Sequence, residues 1–149
     1  MMKPLAKALL FGASFAFCGC EVHKDISLNR AYWKNINRFG QYEVLKPVNM
    51  WFGSSHYDKA RWDMQVVPLN GADIPVDLTL PSGTIIQPQW VYRDSSPLQY
   101  LDIEYGATIV GGKLNGKRIE ITNLLIPQAG AEGARYPNPH YLRIKSVEQ

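Results

Sequence analysis

The chain has 149 residues, of which 46% are hydrophobic, and a formal net charge of +3. Lys3 and Lys7 are the only charged residues before position 20, so the chain from that point on carries a net charge of only +1. That balance is not typical of a nucleic-acid binder, and the length allows one ordinary domain with a real core. We therefore expect a single domain and no nucleic-acid partner.

The first 19 residues have the three-part pattern of an export signal. Two lysines are followed by an apolar stretch over residues 8–17 and then by Gly19, a small residue. The stretch is shorter than the roughly 18 to 20 apolar residues of a membrane-spanning helix. We predict that residues 1–19 are a signal peptide and exclude them from the fold.

The end of this signal resembles a known processing site. Phe17-Cys18-Gly19-Cys20 is similar to the lipobox of bacterial lipoproteins, with Phe17 where leucine is usual and Cys18 where a small or hydroxylated residue is usual. The resemblance implies that Cys20 becomes the first residue, linked to diacylglycerol and acylated on its amino group. Glu21 then implies passage to the outer membrane of a Gram-negative cell, facing the periplasm.

The alternative is an ordinary secreted protein whose signal happens to contain cysteines. Cys18 and Cys20 are the two cysteines of the chain, so removal of the signal leaves Cys20 alone, without a partner for an internal disulfide. Acyl chains give this thiol a role, since each buried methylene contributes about 0.8 kcal/mol and several chains anchor stably. We expect residues 20–30 to form a lipidated tether and residues 31–149 to form one β domain.

One short segment after the tether has helical spacing. Tyr32, Trp33, Ile36 and Phe39 recur on one side, and Gly40 is placed to end a helix in the left-handed conformation. We predict one short amphipathic helix. Its aromatic and basic side chains either contact lipid headgroups or, as is more common, pack the helix onto the domain.

After residue 40, apolar and polar residues alternate with the period of half-buried strands. The main alternating runs are residues 62–66, 74–80, 86–92, 101–105, 119–121 and 142–144. Asn-Gly at positions 70–71 predicts a tight hairpin between the first two runs, because this pair supplies the positive φ angles of such turns. A break at residues 94–97 predicts a second hairpin. Ile86, Trp90 and Tyr92 are expected on one face of their strand.

Short strands separated by turns favour an all-β fold, either a small antiparallel barrel or a sandwich, with one short N-terminal helix. A small barrel is the first choice. Residues 114–121 and 141–147 resemble the closing strands of OB-fold proteins, a resemblance of low specificity that covers about a quarter of the domain. It implies an OB-like barrel.

Two segments are the candidate binding regions. Residues 49–57 contain Trp51, Phe52 and Tyr57, aromatic side chains of the kind that anchor protein or glycan contacts, although a core strand entering a turn would read the same way. Residues 127–140 are rich in glycine and proline and form either a mobile loop or a binding loop. The second segment offers Arg135 and Tyr136 as its contact point.

The sequence contains no clear catalytic or metal-binding pattern, and we expect no cofactor. His23, His56 and His140 lack the short spacing of a metal motif. Asp102 and Glu104 are the only carboxylate pair that suggests an enzyme, since glycosidases use two carboxyl groups. The competing interpretation is that both residues form the solvent side of an amphipathic strand.

The favoured hypothesis is a lipid-anchored protein of the bacterial envelope that binds another envelope protein and catalyses no reaction. It would serve as an accessory subunit of an envelope machine and use the membrane through its lipid anchor. The alternatives are a periplasmic inhibitor or immunity lipoprotein that neutralises a toxin or hydrolase, and a cell-wall glycan hydrolase. The sequence does not indicate an oligomeric state.

Overall fold

A computed structural model describes residues 22–52, 61–69, 73–95 and 101–146. These residues form an all-β domain, which confirms the predicted fold class. Its strands are β1 (Val22–Asp25), β2 (Tyr42–Val44), β3 (Val48–Trp51), β4 (Met64–Val66), β5 (Leu78–Leu80), β6 (Ile85–Ser95), β7 (Leu101–Val110), β8 (Arg118–Glu120), β9 (Leu125–Pro127), β10 (Arg135–Pro137) and β11 (Leu142–Ile144).

One strongly curled sheet, a half-barrel, forms the body of the domain. Its strand order is β11-β2-β6-β7-β8-β4-β3-β5, and β1 also pairs with β6. Among the described strand pairs, β4 and β8 run parallel and the others run antiparallel. Strands β6 and β7 form a long hairpin inside the sheet. The break at residues 94–97 predicted this hairpin.

The core lies on the concave side of the curl, where every second residue of the central strands is apolar. On β7 these residues are Ile103, Tyr105, Ala107 and Ile109, all buried. Burial of such side chains stabilises the fold by about 25 cal/mol for each Å² of apolar surface removed from water. The core members from other strands include Val44, Val48, Met50, Val66, Leu80, Ile86, Val91, Ile119 and Leu142.

The prediction of an amphipathic helix is wrong in the type and length of the helix. The segment contains a four-residue 3-10 helix, Arg30–Trp33, followed by turns. Ile36 is buried as expected, but Phe39 is 56% exposed and itself has the left-handed φ of 64° that was expected at Gly40. A run of this length has too few turns to form a stable helix without packing, so tertiary contacts decide its conformation.

The hairpin predicted at positions 70–71 is also wrong, although those two residues lie outside the described ranges. Strands β4 and β5 do not pair with each other, because β3 lies between them and pairs antiparallel with both. The second run is shorter than predicted, since its strand covers only Leu78–Leu80 and Val76 is 50% exposed. The Asn-Gly signal is local and does not specify which strands become neighbours.

A β-bulge changes the expected faces of β6. The register against β7 shifts between Pro88 and Trp90, so the strand contains one extra residue at this point. Ile86 and Val91 consequently face the core, whereas Trp90 and Tyr92 lie on the convex side. The prediction that Ile86, Trp90 and Tyr92 share a face is therefore wrong.

Residues 127–140, predicted to be a mobile loop or a binding loop, include most of a short β-ribbon. Strands β9 and β10 pair antiparallel and form a separate two-stranded ribbon. The turn between them is held against the core, since the hydroxyl of Tyr105 lies 2.9 Å from the carbonyl oxygen of Gly133 and 3.1 Å from that of Tyr32. Burial raises the pKa of this tyrosine to about 12.

The sheet begins within the segment expected to be a tether. Val22–Asp25 pair with residues 92–95 at the far end of β6. Within the described ranges, no helix has the length and apolar character needed to cross a bilayer.

Candidate functional site

The convex face of the sheet carries a second set of packed side chains, which we name the aromatic-acidic cluster. It combines aromatic rings, two arginines and three carboxylates brought together from β6, β7, β8 and the residues before β4. Its members are Arg61, Trp62, Trp90, Tyr92, Asp94, Glu104, Arg118 and Glu120.

Gly106 has no side chain, and this leaves the space in which the cluster packs. Gly106 is the cross-strand neighbour of Trp90 on one side and Glu120 on the other. The indole of Trp62 lies directly on it, because a Cβ added at Gly106 would be 1.9 Å from the ring atom Cη2. Trp62 in turn makes edge contacts with Trp90 and Tyr92, at centroid distances of 6.2 and 5.5 Å.

Arg61 connects two of the carboxylates. Its Nη1 atom lies 3.2 Å from Oδ2 of Asp94 and 3.0 Å from Oε2 of Glu104, and its guanidinium carbon is 4.1 Å from the ring centroid of Tyr92. Burial alone would lower the pKa of Arg61, but the hydrogen bonds and charges of both carboxylates outweigh it and raise the pKa. The arginine therefore stays charged.

Among the carboxyl groups that the structure describes, Glu120 has the pKa that is raised most. It is 7% exposed, and its Oε1 accepts a hydrogen bond of 2.8 Å from the backbone N–H of Thr122. Burial raises its pKa to about 7, although the Thr122 hydrogen bond acts in the opposite direction; the nearby charge of Glu104 adds to the rise. This buried group therefore keeps its proton to a higher pH than an exposed glutamate does.

The predicted carboxylate pair is split by the fold. Asp102 is exposed, whereas Glu104 is 7% exposed and its Oε2 accepts hydrogen bonds from Arg61 and from the indole N–H of Trp62 at 2.9 Å. The interpretation of Glu104 as a solvent-facing residue is therefore wrong. Partial burial and the charge of Asp94, its cross-strand neighbour, raise the pKa of Asp102. Glu104 already accepts two hydrogen bonds, and Arg61 also pairs with Asp94. The cluster therefore links β6 and β7 to the residues before β4.

A different part of the molecule presents apolar side chains to solvent, and we name it the Phe39 surface. It is a cleft of about 850 Å³ beside the edge strand β11. The cleft is lined by Phe39, Gly40, Gln41, Glu43, Arg143, Ile144, Lys145 and Ser146. Phe39 and Ile144 are 56% and 51% exposed, so two large apolar side chains lie open within a polar rim.

Phe39 has an unfavourable backbone conformation that hydrogen bonds hold in place. Its φ of 64° is left-handed, which costs a residue with a side chain roughly 1–2 kcal/mol. Its N–H donates to the carbonyl of Pro88 at 2.8 Å, and its own carbonyl accepts from the side chain of Gln87 at 2.7 Å. Arg38 lies over the ring at 4.5 Å from the centroid. These contacts point an aromatic ring outward at the expense of local stability, a pattern associated with functional positions.

The predicted binding residues fall on separate parts of the domain. Trp51 is half-buried at the end of β3 and Phe52 is 60% exposed, with its N–H bonded to Asp77 at 2.7 Å. Arg135 and Tyr136 lie on β10 in the ribbon, where Tyr136 is 39% exposed. The two pairs thus belong to different sheets.

Other predicted site residues give no further site. Cys20, His56 and Tyr57 lie outside the described residues, and His140 is exposed in the turn before β11. Across the described ranges, no three His, Cys, Asp or Glu side chains converge as metal ligands would.

Sequence reasoning missed Phe39 because the helical spacing placed it on a packing stripe. The only local hint in the sequence was its position next to Gly40, where a left-handed residue was expected.

The comparisons with known proteins return nothing: no family model matches this chain, and neither a curated protein nor a solved structure is significantly similar to it.

Proposed function

We propose that this protein is a lipid-anchored component of the bacterial envelope that binds another envelope protein through the Phe39 surface, without catalysing a reaction. The observation that carries the proposal is the strained and exposed Phe39 beside exposed Ile144. Aromatic residues fixed in a bound-like conformation lose little entropy on association and dominate many protein interfaces.

The charges around this surface indicate the kind of partner that it would bind. Arg38 and Lys145 add positive charge, while Arg143 is paired with Glu43 at 2.7 Å. Charges at the rim of an interface select partners of opposite sign. A partner with an apolar pocket bordered by carboxylates would fit, and an accessory subunit of an envelope machine is our preferred role.

The anchor is a proposal that rests on the sequence of residues 17–20. It predicts a chain that begins at acylated Cys20 and sits in the outer membrane, facing the periplasm. The OB-like barrel is a separate hypothesis, which rests on the resemblance of residues 114–121 and 141–147 to the closing strands of OB-fold proteins. The curled sheet is compatible with it.

Affinity capture tests the binding proposal. The full-length protein is isolated from gently solubilised envelopes, and the bait and its partners are identified by quantitative mass spectrometry. We expect one stoichiometric protein partner for the wild type, and about thirtyfold weaker binding for Phe39→Ala, which corresponds to about 2 kcal/mol for a central aromatic residue.

Leu28→Ala is the matched control, because Leu28 is 87% exposed and lies outside the Phe39 surface. It should retain the partner. Equal recovery with Phe39→Ala and the wild type would contradict the assignment of this surface.

The runner-up function is a periplasmic inhibitor, and the same capture distinguishes it. Its partner would be a toxin or hydrolase whose activity falls when the purified protein is added. An apparatus component with no activity to suppress would favour the accessory-subunit role.

A further inference from the structure

A second cleft lies at the end of the half-barrel where β5 leads into β6, and we name it the Lys113 cleft. It has a volume of about 620 Å³ and is lined by residues 78–85 and 109–114. That volume is within the range of about 300–1,000 Å³ typical of small-molecule sites. The cleft shares no lining residue with the Phe39 surface.

The floor of the Lys113 cleft is apolar. Leu80 and Ile109 belong to the buried core, and half-buried Leu78, Ile85 and Leu114 stand around them. A ligand that covers the accessible parts of Leu78, Ile85 and Leu114 gains about 25 cal/mol for each Å² of apolar surface removed from water. The body of a suitable ligand is therefore hydrocarbon.

The polar groups of the lining offer little hydrogen bonding to a ligand. The hydroxyl of Thr79 lies 3.0 Å from Oδ1 of Asn49, and that of Thr84 donates to the carbonyl of Pro81 at 2.7 Å. Lys113 is the one charged residue among those lining the cleft, and it is exposed. This combination suits one anionic group on an apolar chain better than a sugar with many hydroxyls.

The cleft is far from the point where the N-terminal segment joins the sheet. Val22 pairs with Ser95 at one end of β6, and Ile85 at the other end lines the cleft. The 11 residues of β6 span roughly 33 Å at about 3.3 Å per residue. The cleft therefore lies at the opposite end of β6 from the N-terminal strand, and a free amphiphile is the ligand to test.

We propose that the Lys113 cleft binds a single-chain amphiphile with an anionic headgroup, of the fatty-acid class. The chain lies along Leu78, Ile85 and Leu114, and the carboxylate lies beside the ammonium group of Lys113. This site is independent of the Phe39 surface and of the protein partner proposed for it.

Fluorescence binding tests the proposal on the whole mature chain, residues 20–149 with Cys20→Ser, so that neither acyl chains nor detergent compete. The probe is 11-(dansylamino)undecanoate below its micellar concentration. We expect saturable emission that dodecanoate displaces, with dodecyltrimethylammonium about fivefold weaker, the effect of one exposed charge pair. No saturable binding, or equal displacement by the cationic amphiphile, would overturn the proposal.

Two lysine variants locate the headgroup. Lys113→Glu should weaken dodecanoate binding about fivefold or more and should favour the cationic amphiphile. Lys117→Glu makes the same charge change at an exposed residue outside the cleft and should stay within about twofold of the wild type. Equal effects of the two variants would mean that the site lies elsewhere.

A third variant tests the apolar floor. Leu114→Gln places a polar amide in the lining and should weaken binding about tenfold, because burying an unpaired polar group is costly. Circular dichroism checks that this variant is folded. Unchanged affinity in the folded variant would contradict binding along this lining.

Discussion

Glu120 illustrates how single residues set the chemistry of the convex face. Its register neighbours are Gly106 on β7 and Gln65 on β4, and both Glu120 and Gln65 are buried. Glu104 also faces it from β7, already bound to Arg61. A second full charge in this environment is costly, so the folded protein holds the proton on Glu120 to a higher pH than the unfolded chain does.

This proton makes stability depend on pH. In the unfolded chain Glu120 titrates near 4.5, and in the folded protein near 7. Its contribution is therefore complete below pH 4.5 and is lost as the pH rises through 7, a total of about 3 kcal/mol. We expect Glu120→Gln to match the wild type near pH 5 and to be more stable at pH 8, as measured by urea unfolding.

Glu132→Gln serves as the control, because Glu132 is exposed on the turn between β9 and β10. It should leave the pH profile unchanged. A Glu120→Gln protein with the same pH dependence as the wild type would contradict the raised pKa.

Gly106 provides a second prediction, on packing. Gly106→Ala forces the Trp62 ring away from β7 and should cost about 1–3 kcal/mol of unfolding free energy. In a Trp62→Leu background the same change should cost less than about 1 kcal/mol, because the clashing ring is gone. Denaturant unfolding of the four proteins measures this coupling, and additive effects would rule out the contact.

Phe39 provides a third prediction, which separates stability from binding. Phe39→Gly and Phe39→Ala both remove the ring, but only glycine adopts φ near 64° without strain. The glycine variant should therefore be about 1 kcal/mol more stable than the alanine variant, while both fail to capture the partner. Thermal unfolding gives the first comparison; equal stabilities would mean that the left-handed conformation is absent.

At the scale of elements, the bulge in β6 decides which aromatic side chains reach the convex face. By adding one residue before Trp90, it moves Trp90 and Tyr92 to the convex side, where they meet Trp62 and Arg118. Without the bulge, the alternation from Ile86 would direct both rings into the core. Bulges are common where a strand must redirect a side chain.

The strand order predicts how local stability is distributed. Strand β7 lies between β6 and β8, whereas β5 and β11 end the sheet. Opening a central strand breaks pairs on both sides, so its amides should be the most protected. We expect amides of residues 103–109 to exchange at least about tenfold more slowly than those of β5 and β11, by hydrogen exchange with NMR. Similar rates in all three strands would contradict this order.

At the scale of the whole molecule, the sheet and the proposed anchor are close in sequence. Strand β1 begins at Val22, two residues after Cys20, and pairs with the end of β6. A lipid-anchored domain would therefore be held close to the membrane, with β1 as part of its sheet.

Cys20→Ser tests the anchor in cells. We expect the wild type in the membrane fraction with an acylated first residue, and the variant released from membranes with its fold intact, because the described sheet starts after residue 20. Membrane fractionation and mass spectrometry of the N-terminal peptide measure both. An unacylated wild type would contradict lipidation.

Part of this protein is determined by local sequence. The alternation of apolar and polar residues predicts the all-β class, and the break after Asp94 predicts the β6–β7 hairpin, because strand period and turn chemistry depend on near neighbours. The lipobox-like segment and the candidate residues Trp51, Phe52, Arg135 and Tyr136 likewise follow from sequence, and their roles stay predictions.

Only the tertiary structure decides what those strands bring together. The insertion of β3 between β4 and β5, the parallel pairing of β4 with β8 and the register shift in β6 depend on packing between residues distant in the chain. The meeting of Arg61 with Asp94 and Glu104, and the exposure of Phe39, follow from that packing. A local pattern carries no information on such contacts, because partner choice is set by the free energy of the complete core.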